Sequence, residues 1–493
     1  MSDAATSESK GGLDGIKQYL LDFKVLGQNP KEFWVIQGVN FLDSLAYFSM
    51  IAVITLFLTS DRVGFNPTTG GYVVTAFTTF ITVAYFFSGF ITDSLGIKKS
   101  LVISQSINIV ARFGILGAVL MGVPYAEWIV VALLLVSAPG MAMTGTVFQA
   151  ANKRFSTVKS RSASFNVWYL IMNLGAVAGG FAVDIIRKTL QVDTTWIFLL
   201  GAISATIATL AAAALIHRED QVRDQDEEAA EEVENTEPVV KKSGFQIFKD
   251  LIKETSFWRF IVLMTALLGV RAVFTYMYLL MPLYWVRVIE DLTGEPTNQG
   301  FLQALNPILI VVGLILFIPI ANKFNVFKML VFGAIISSFS LLAMVLPWQI
   351  YTPVARMFGL VGEGTPELLM AQSYFVMSAV MLIILSVGEV IWSPKLTEYT
   401  AAIAPEGQEG SYLGLSVMPW FVAKLAVSAI SGHMLIRWVP EGIGARILAG
   451  EVPFWERPEA MWLILFVWAI VGPLLAIAFR KWLTEGADLE AKA

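Results

Sequence analysis

The stretch GFITDSLGIKK, from Gly89 to Lys99, stands between two long apolar runs. Its spacing has a mechanical reading. Gly89 is expected to let two helices approach closely, Asp93 to cap a helix terminus or pair with a base across a domain contact, Gly96 to permit a tight turn, and Lys98 with Lys99 to hold the hairpin end at a membrane surface. Working outward, apolar runs bounded by Gly, Pro, Asp, Lys or Arg predict helices near 33–59, 71–92, 100–122, 125–150, 164–187 and 195–216. A second set of six follows near 257–287, 300–321, 325–346, 372–398, 409–435 and 459–483. Each run meets the length of about 20 residues that a spanning helix needs. From Arg218 the chain reads REDQVRDQDEEAAEEVENTEPVVKKSG, a charge-dense stretch suited to a solvated linker. The expected division is an N-terminal segment 1–32, a six-helix bundle 33–217, a linker and pre-helix 218–256, a second bundle 257–484 and a tail 485–493.

Composition supports the same class. The 493 residues are 56% hydrophobic and 15% charged, with a mean hydropathy of +0.67, against about 25% charged for an ordinary soluble domain. An all-α integral membrane protein follows. There is no cysteine, and the histidines are His217 and His433, which excludes thiol nucleophiles, disulfides and cysteine or multi-histidine zinc sites. A net charge of -5 gives no basic footprint for nucleic acid. No nucleophile, base and orienting group gather at a loop, and no Walker or dinucleotide pattern surrounds Gly175, Gly179 and Gly180, which read as close helix packing. Neither an enzyme nor a cofactor is expected, and no metal site.

Lys and Arg in short loops set orientation. Lys98, Lys99, Lys153, Arg154, Lys159, Arg161, Lys323 and Lys328 fall on one side, with Arg187 and Lys188 against the trend. Both termini and the linker are therefore expected in the cytoplasm, in an inner or plasma membrane. MSDAATSESKGG lacks the apolar core of a cleaved signal, and GLDGIKQYLLDFKVLG carries a helical apolar stripe suited to the membrane surface.

The Gly89 to Lys99 pattern, inside a six-plus-six chain, resembles the loop signature of the major facilitator superfamily. The resemblance implies two six-helix halves that rock about a midplane solute site. Four further stretches resemble the proton-dependent oligopeptide transporter family. FNVWYLIMNLGAVAGG, from Phe165, is similar to that family's aromatic segment, through Tyr169, Asn173 and Gly175; FLQALNPILI, from Phe301, places Asn306 and Pro307 in register; GEVIWSPKLTEYTAAIAP, from Gly388, places Glu389, Ser393 and Pro394; Trp420 and Gly432 fit the eleventh helix. Helix one departs from the pattern: counted from Pro30, the family's acidic and basic positions hold Asn40, Asp43 and Ser44, and on helix four its lysine position holds Gln149. Two basic groups that the resemblance implies are thus absent. The linker also lacks the two additional helices common in bacterial members.

Ionisable groups inside a bilayer cost roughly 2.5 to 3.5 kcal/mol at a helix centre, so each invites a functional reading. Asp43, Arg112, Arg271, Glu389 and Lys424 qualify. Asp43 and Glu389 are the candidates for proton coupling, with a fixed ion pair as the competing reading. Arg271 is a substitute for the missing helix-one base, or a fixed partner of Glu389; Arg112 is expected to be structural, with a partner such as Asp43. Lys424 either replaces the missing helix-four lysine or reaches an interface. Tyr47, Gln149, Trp168, Tyr169, Asn173, Asn306 and Trp420 supply hydrogen bonds and aromatic walls for a polar solute. The expected function is secondary transport, proton-coupled, of short peptides or peptide-like zwitterions by a monomer in contact with membrane lipids. Competing readings are a different cargo (a lipid, an amphipathic drug or a metabolite), with export in place of import, and a non-transporting receptor.

Overall fold

The computed structural model describes residues 23–220, 222, 253–321, 324–357, 365–403 and 418–485. The amphipathic stretch before Phe23, most of the acidic linker, Lys323 and the tail after Glu485 lie outside the described residues. The first half contains α1 (Lys31–Leu58), α2 (Pro67–Leu95), α3 (Ile97–Leu120), α4 (Ala126–Arg154), α5 (Val158–Asp184) and α6 (Trp196–Leu215). The second contains α7 in two pieces (Thr255–Ala266 and Leu268–Leu279), α8 (Gln299–Ala321), α9 (Val326–Phe339), α10 (Pro366–Ile403), α11 (Met418–Trp438) and α12 (Pro458–Ala478). Among the described residues, nine helices are long and apolar enough to cross a membrane, or up to eleven if each of two bent pairs is one span. All-helical spans are what hydrocarbon demands, since each backbone N–H and C=O must find its partner within the segment.

Local chemistry sets several starts. Asn66 accepts from Thr69 N ahead of Pro67, and Thr157 with Ser160 forms a reciprocal cap at α5. The run 257–287, expected as one helix, is broken. Its two pieces of α7 meet at 41°, and after Leu279 the chain continues as Met281–Trp285 and a π segment Val286–Glu290. Pro282 supplies no N–H and crowds the preceding turn, which accounts for the second break. Gly269 packs backbone-close against α12, where a Cβ would lie 2.9 Å from Ala469 Cα.

The two halves use the same neighbours. α1 packs on α5 and α6, α2 on α4, and α3 on α4 and α6; correspondingly α7 packs on α11 and α12, α8 on α10, and α9 on α10 and α12. Such parallel repeats are related by an axis along the membrane normal. The halves meet chiefly where α2 packs on α11 and α5 on α8.

That meeting is tightest at the end opposite the termini. A Cβ on Gly71 would lie 2.7 Å from Ser428 O and on Gly180 2.5 Å from Gly300 O, and one on Gly432 would collide with Pro67 O. Only glycine allows such approach. Asp184 accepts the N–H groups of Gly300 (2.6 Å) and Phe301 (2.7 Å) at the start of α8, where free amides and the helix dipole favour a carboxylate. Arg187 pairs with Glu290 at 2.8 Å and donates to Gln299 Oε1 at 2.7 Å, while Gln299 and Gln303 both donate to Ala52 O of α1. This end is closed by backbone packing and charge together. Gly300→Leu is expected to hold it open: a Thr59→Cys reporter in the otherwise cysteine-free chain should label several-fold faster with a membrane-impermeant maleimide in that background.

Candidate functional site

Glu389 stands on α10. Asn306 Nδ2 of α8 donates to Glu389 Oε2 at 2.9 Å and to Ser386 Oγ at 3.1 Å. Arg271 of α7 lies with its guanidinium 4.6 Å from the centroid of the Trp392 ring, one turn after Glu389, and interacts electrostatically with Glu389 and with Tyr169 of α5. Tyr278, two turns after Arg271, also faces Glu389, and its ring reaches Phe48 of α1 at 6.1 Å. Residues of α1, α5, α7, α8 and α10 therefore converge on one carboxylate at the junction of the halves.

In the first half, Asp43 is half-buried on α1. Gln105 Nε2 of α3 donates to Asp43 Oδ1 at 2.9 Å, and Arg112 interacts with it electrostatically. Arg112 Nη1 also donates to Gly201 O of α6 at 2.9 Å, so this base braces α3 against α6. Tyr85 of α2 faces Asp43 and Tyr47 and packs its ring 5.9 Å from Phe421 of α11. Asn173 donates to Tyr169 O one turn earlier, and its side chain also bonds the Tyr169 side chain. Gln149 is exposed and makes no hydrogen bond among the described residues. Lys424 is half-buried on α11, and the Trp420 side chain lies outside the described residues. Trp168 is half-buried, and its carbonyl accepts from Asn40 Nδ2 at 2.9 Å.

The structure brings Tyr169, Arg271, Asn306 and Glu389 into one cluster, and Tyr47 and Asp43 into a second. Gly175 and Gly179 seat α5 on α1, where a Cβ would meet Phe41 O at 2.7 Å and Leu45 O at 3.0 Å. Tyr278, Tyr85, Gln105 and Trp392 were missed from sequence. Tyr278 had a signal, because it repeats the face of Arg271 after seven residues; Tyr85 and Gln105 join through packing of separate helices and had none.

The hairpin between α2 and α3 corrects two expectations. Gly89 has open space where its Cβ would be, so it makes no close helix contact. Asp93 is exposed and caps nothing among the described residues. The cap at the start of α3 comes instead from Glu219 beyond α6, whose carboxylate accepts from Lys98 N at 3.0 Å and lies against Gly96. Gly96 makes the turn with a φ of 79°, a region open to glycine at no steric cost. Arg218 N donates to Glu32 Oε1 and Val222 N to Arg154 O, so the chain leaving α6 is strapped across this end of the half.

Two pseudo-equivalent six-helix halves meeting over inward-facing charges define a membrane carrier. The sequence matches the model of the Major Facilitator Superfamily over residues 38–428, and the chain belongs to that superfamily. It is a multi-pass integral membrane transporter and not an enzyme. No curated protein matches it. Solved structures share its fold at low identity. A peptide transporter POT in complex with alafosfalin is 14% identical with a TM-score of 0.65, covering 93% of this chain and 96% of that one. A structure concerned with substrate recognition in proton dependent oligopeptide transporters is 16% identical with a TM-score of 0.64, covering 92% and 99%. A POT family transporter in complex with 5-aminolevulinic acid is 14% identical with a TM-score of 0.62, covering 92% and 97%.

Removing one member of a desolvated pair leaves the other uncompensated. Arg271→Ala is expected to destabilise the purified protein by about 2 kcal/mol, discounted from the fully buried case because Glu389 is partly exposed. Adding Glu389→Gln should recover most of that loss, as read from a double-mutant cycle of unfolding midpoints in detergent.

Proposed function

We propose that this protein is a proton-coupled symporter of short peptides or peptide-like zwitterionic solutes, working as a monomer with both termini in the cytoplasm of an inner or plasma membrane. The observation that carries the reading is Glu389, held by Asn306 and set beside Arg271 at the junction of the halves. When Glu389 is charged it satisfies Arg271. When it takes a proton, its charge no longer competes with the carboxylate of a solute for Arg271. Coupling then requires that proton and solute together change the free-energy gap between the two facing states.

Tyr169 and Tyr278 supply walls on opposite halves, so a solute between them contacts both and biases their closure. Asp43 of α1, beside Gln105 and facing Arg112 within the first half, is the second proton carrier of this reading. The bases absent from helices one and four leave Arg271 and Lys424 as the cationic groups for solute recognition. The solved transporters named above bind alafosfalin and 5-aminolevulinic acid, and amine-plus-anion ligands of that kind suit this charge pattern. An amphipathic or lipid cargo is the second reading, favoured by the loss of those two bases.

Proteoliposomes with an imposed inward proton gradient test the proposal, with di- and tripeptides offered beside amino acids and lysolipids. Peptide accumulation should collapse with a protonophore. Glu389→Gln should abolish gradient-driven accumulation while sparing counterflow; unchanged accumulation would remove Glu389 from the coupling role, and lysolipid flux alone would establish the second reading.

A further inference from the structure

One face of α3 carries polar groups that the solute site does not use. Ser100, Ser104, Asn108 and Arg112 recur at steps of four, Gln105 lies beside Ser104 on the same side, and all five are buried. They are partly joined. Gln105 Nε2 donates to Asp43 and to Thr144 Oγ1 of α4 (3.2 Å), and Thr144 donates to Ser104 Oγ at 3.0 Å. Yet five buried side-chain atoms on this face have no protein partner: Ser100 Oγ, Gln105 Oε1, Asn108 Oδ1, Asn108 Nδ2 and Arg112 Nη2. Such atoms inside a low-dielectric bundle cost so much together that a dry seam would consume a large part of the fold's stability.

The missing partner must both donate and accept, because both ends of the Asn108 amide are unpartnered. A metal cation cannot donate and is disfavoured by Arg112; an anion cannot donate and is disfavoured by Asp43. Water does both, and the seam offers it the two to four polar partners that a buried water requires. We propose that α1, α3, α4 and α6 enclose a bound-water site in the first half, through which Asp43 exchanges its proton without passing through the solute site.

The layout gives the route a direction. Arg112 stands toward the closed end, where it braces Gly201, and its fixed charge repels a migrating proton. Thr144, Ser104 and Ser100 step the other way, toward the end that carries the termini, and each hydroxyl can accept and donate in turn. Among the described residues, the charged and titratable groups that face Asp43 are Arg112 from α3 and Tyr85 from α2, with Tyr47 of α1 next to Tyr85. The transport role of the site rests on the proton-coupled reading above; its hydration does not.

Two readouts separate these. Radiolytic hydroxyl labelling forms radicals at bound water, and Met143, 5% exposed and next to Thr144, is the reporter. Met143 should be oxidised in the native protein, and Thr144→Val, near-equal in volume but without the hydroxyl, should cut that oxidation severalfold. In proteoliposomes Thr144→Val should slow gradient-driven accumulation at least tenfold with counterflow retained, and Thr144→Ser should restore both signals. An unlabelled Met143 in the native protein overturns the site, and full gradient-driven accumulation by Thr144→Val overturns the route. Labelled Met143 in a protein whose flux ignores the proton gradient upholds the water site and overturns the coupled reading instead.

Discussion

Charge inside hydrocarbon has to be compensated within the chain, and in each half of this protein an acid and a base face each other. Arg112 faces Asp43 electrostatically in the first half, and Arg271 faces Glu389 in the second. The pairs differ in what else holds them. Arg112 is bonded to the α6 backbone, deep between helices of its own half, so it is a brace. Arg271 lies on an indole face with Glu389 and Tyr169 close by, at the junction, so its partner can change without unpacking a bundle.

The same distinction between brace and switch appears at the ends. Opposite the termini, glycine pairs bring α5 onto α8 and α2 onto α11 at backbone contact, and Asp184 and Arg187 add charge to that closure. At the other end, the chain leaving α6 clamps its own half through Glu219 and Arg218. One set of contacts crosses between halves and must break for the carrier to turn over. The other stays within a half and keeps it rigid while it moves, which is what rocking of two bodies requires.

Much of the fold was legible because hydrocarbon imposes it. Length and apolarity alone place the spans, and the polar break after helix six separates the halves. Breaks within spans were less so: Pro282 signals one interruption of α7, but the 41° bend near Leu267 has no proline and arises where Gly269 beds on α12. At the site, charged residues announced themselves by their cost in lipid, so Asp43, Arg271 and Glu389 were visible. Neutral partners were not, since Gln105, Tyr85 and Trp392 look like ordinary span residues until another helix brings a charge to them. Asp93 and Gly89 show the converse: a motif names its positions, but Glu219, far along the chain, supplies the cap.

The sequence by itself determined the membrane class, the two halves and which ionisable groups need a reason to exist, because transfer free energies depend on residue type and run length alone. Only the tertiary structure decided that Arg271 rests on Trp392, that Asn306 rather than a base bonds Glu389, and that α3 carries an unsatisfied polar seam. Those facts depend on which helix faces meet, and the meeting is set by glycine contacts and packing between residues far apart in the chain.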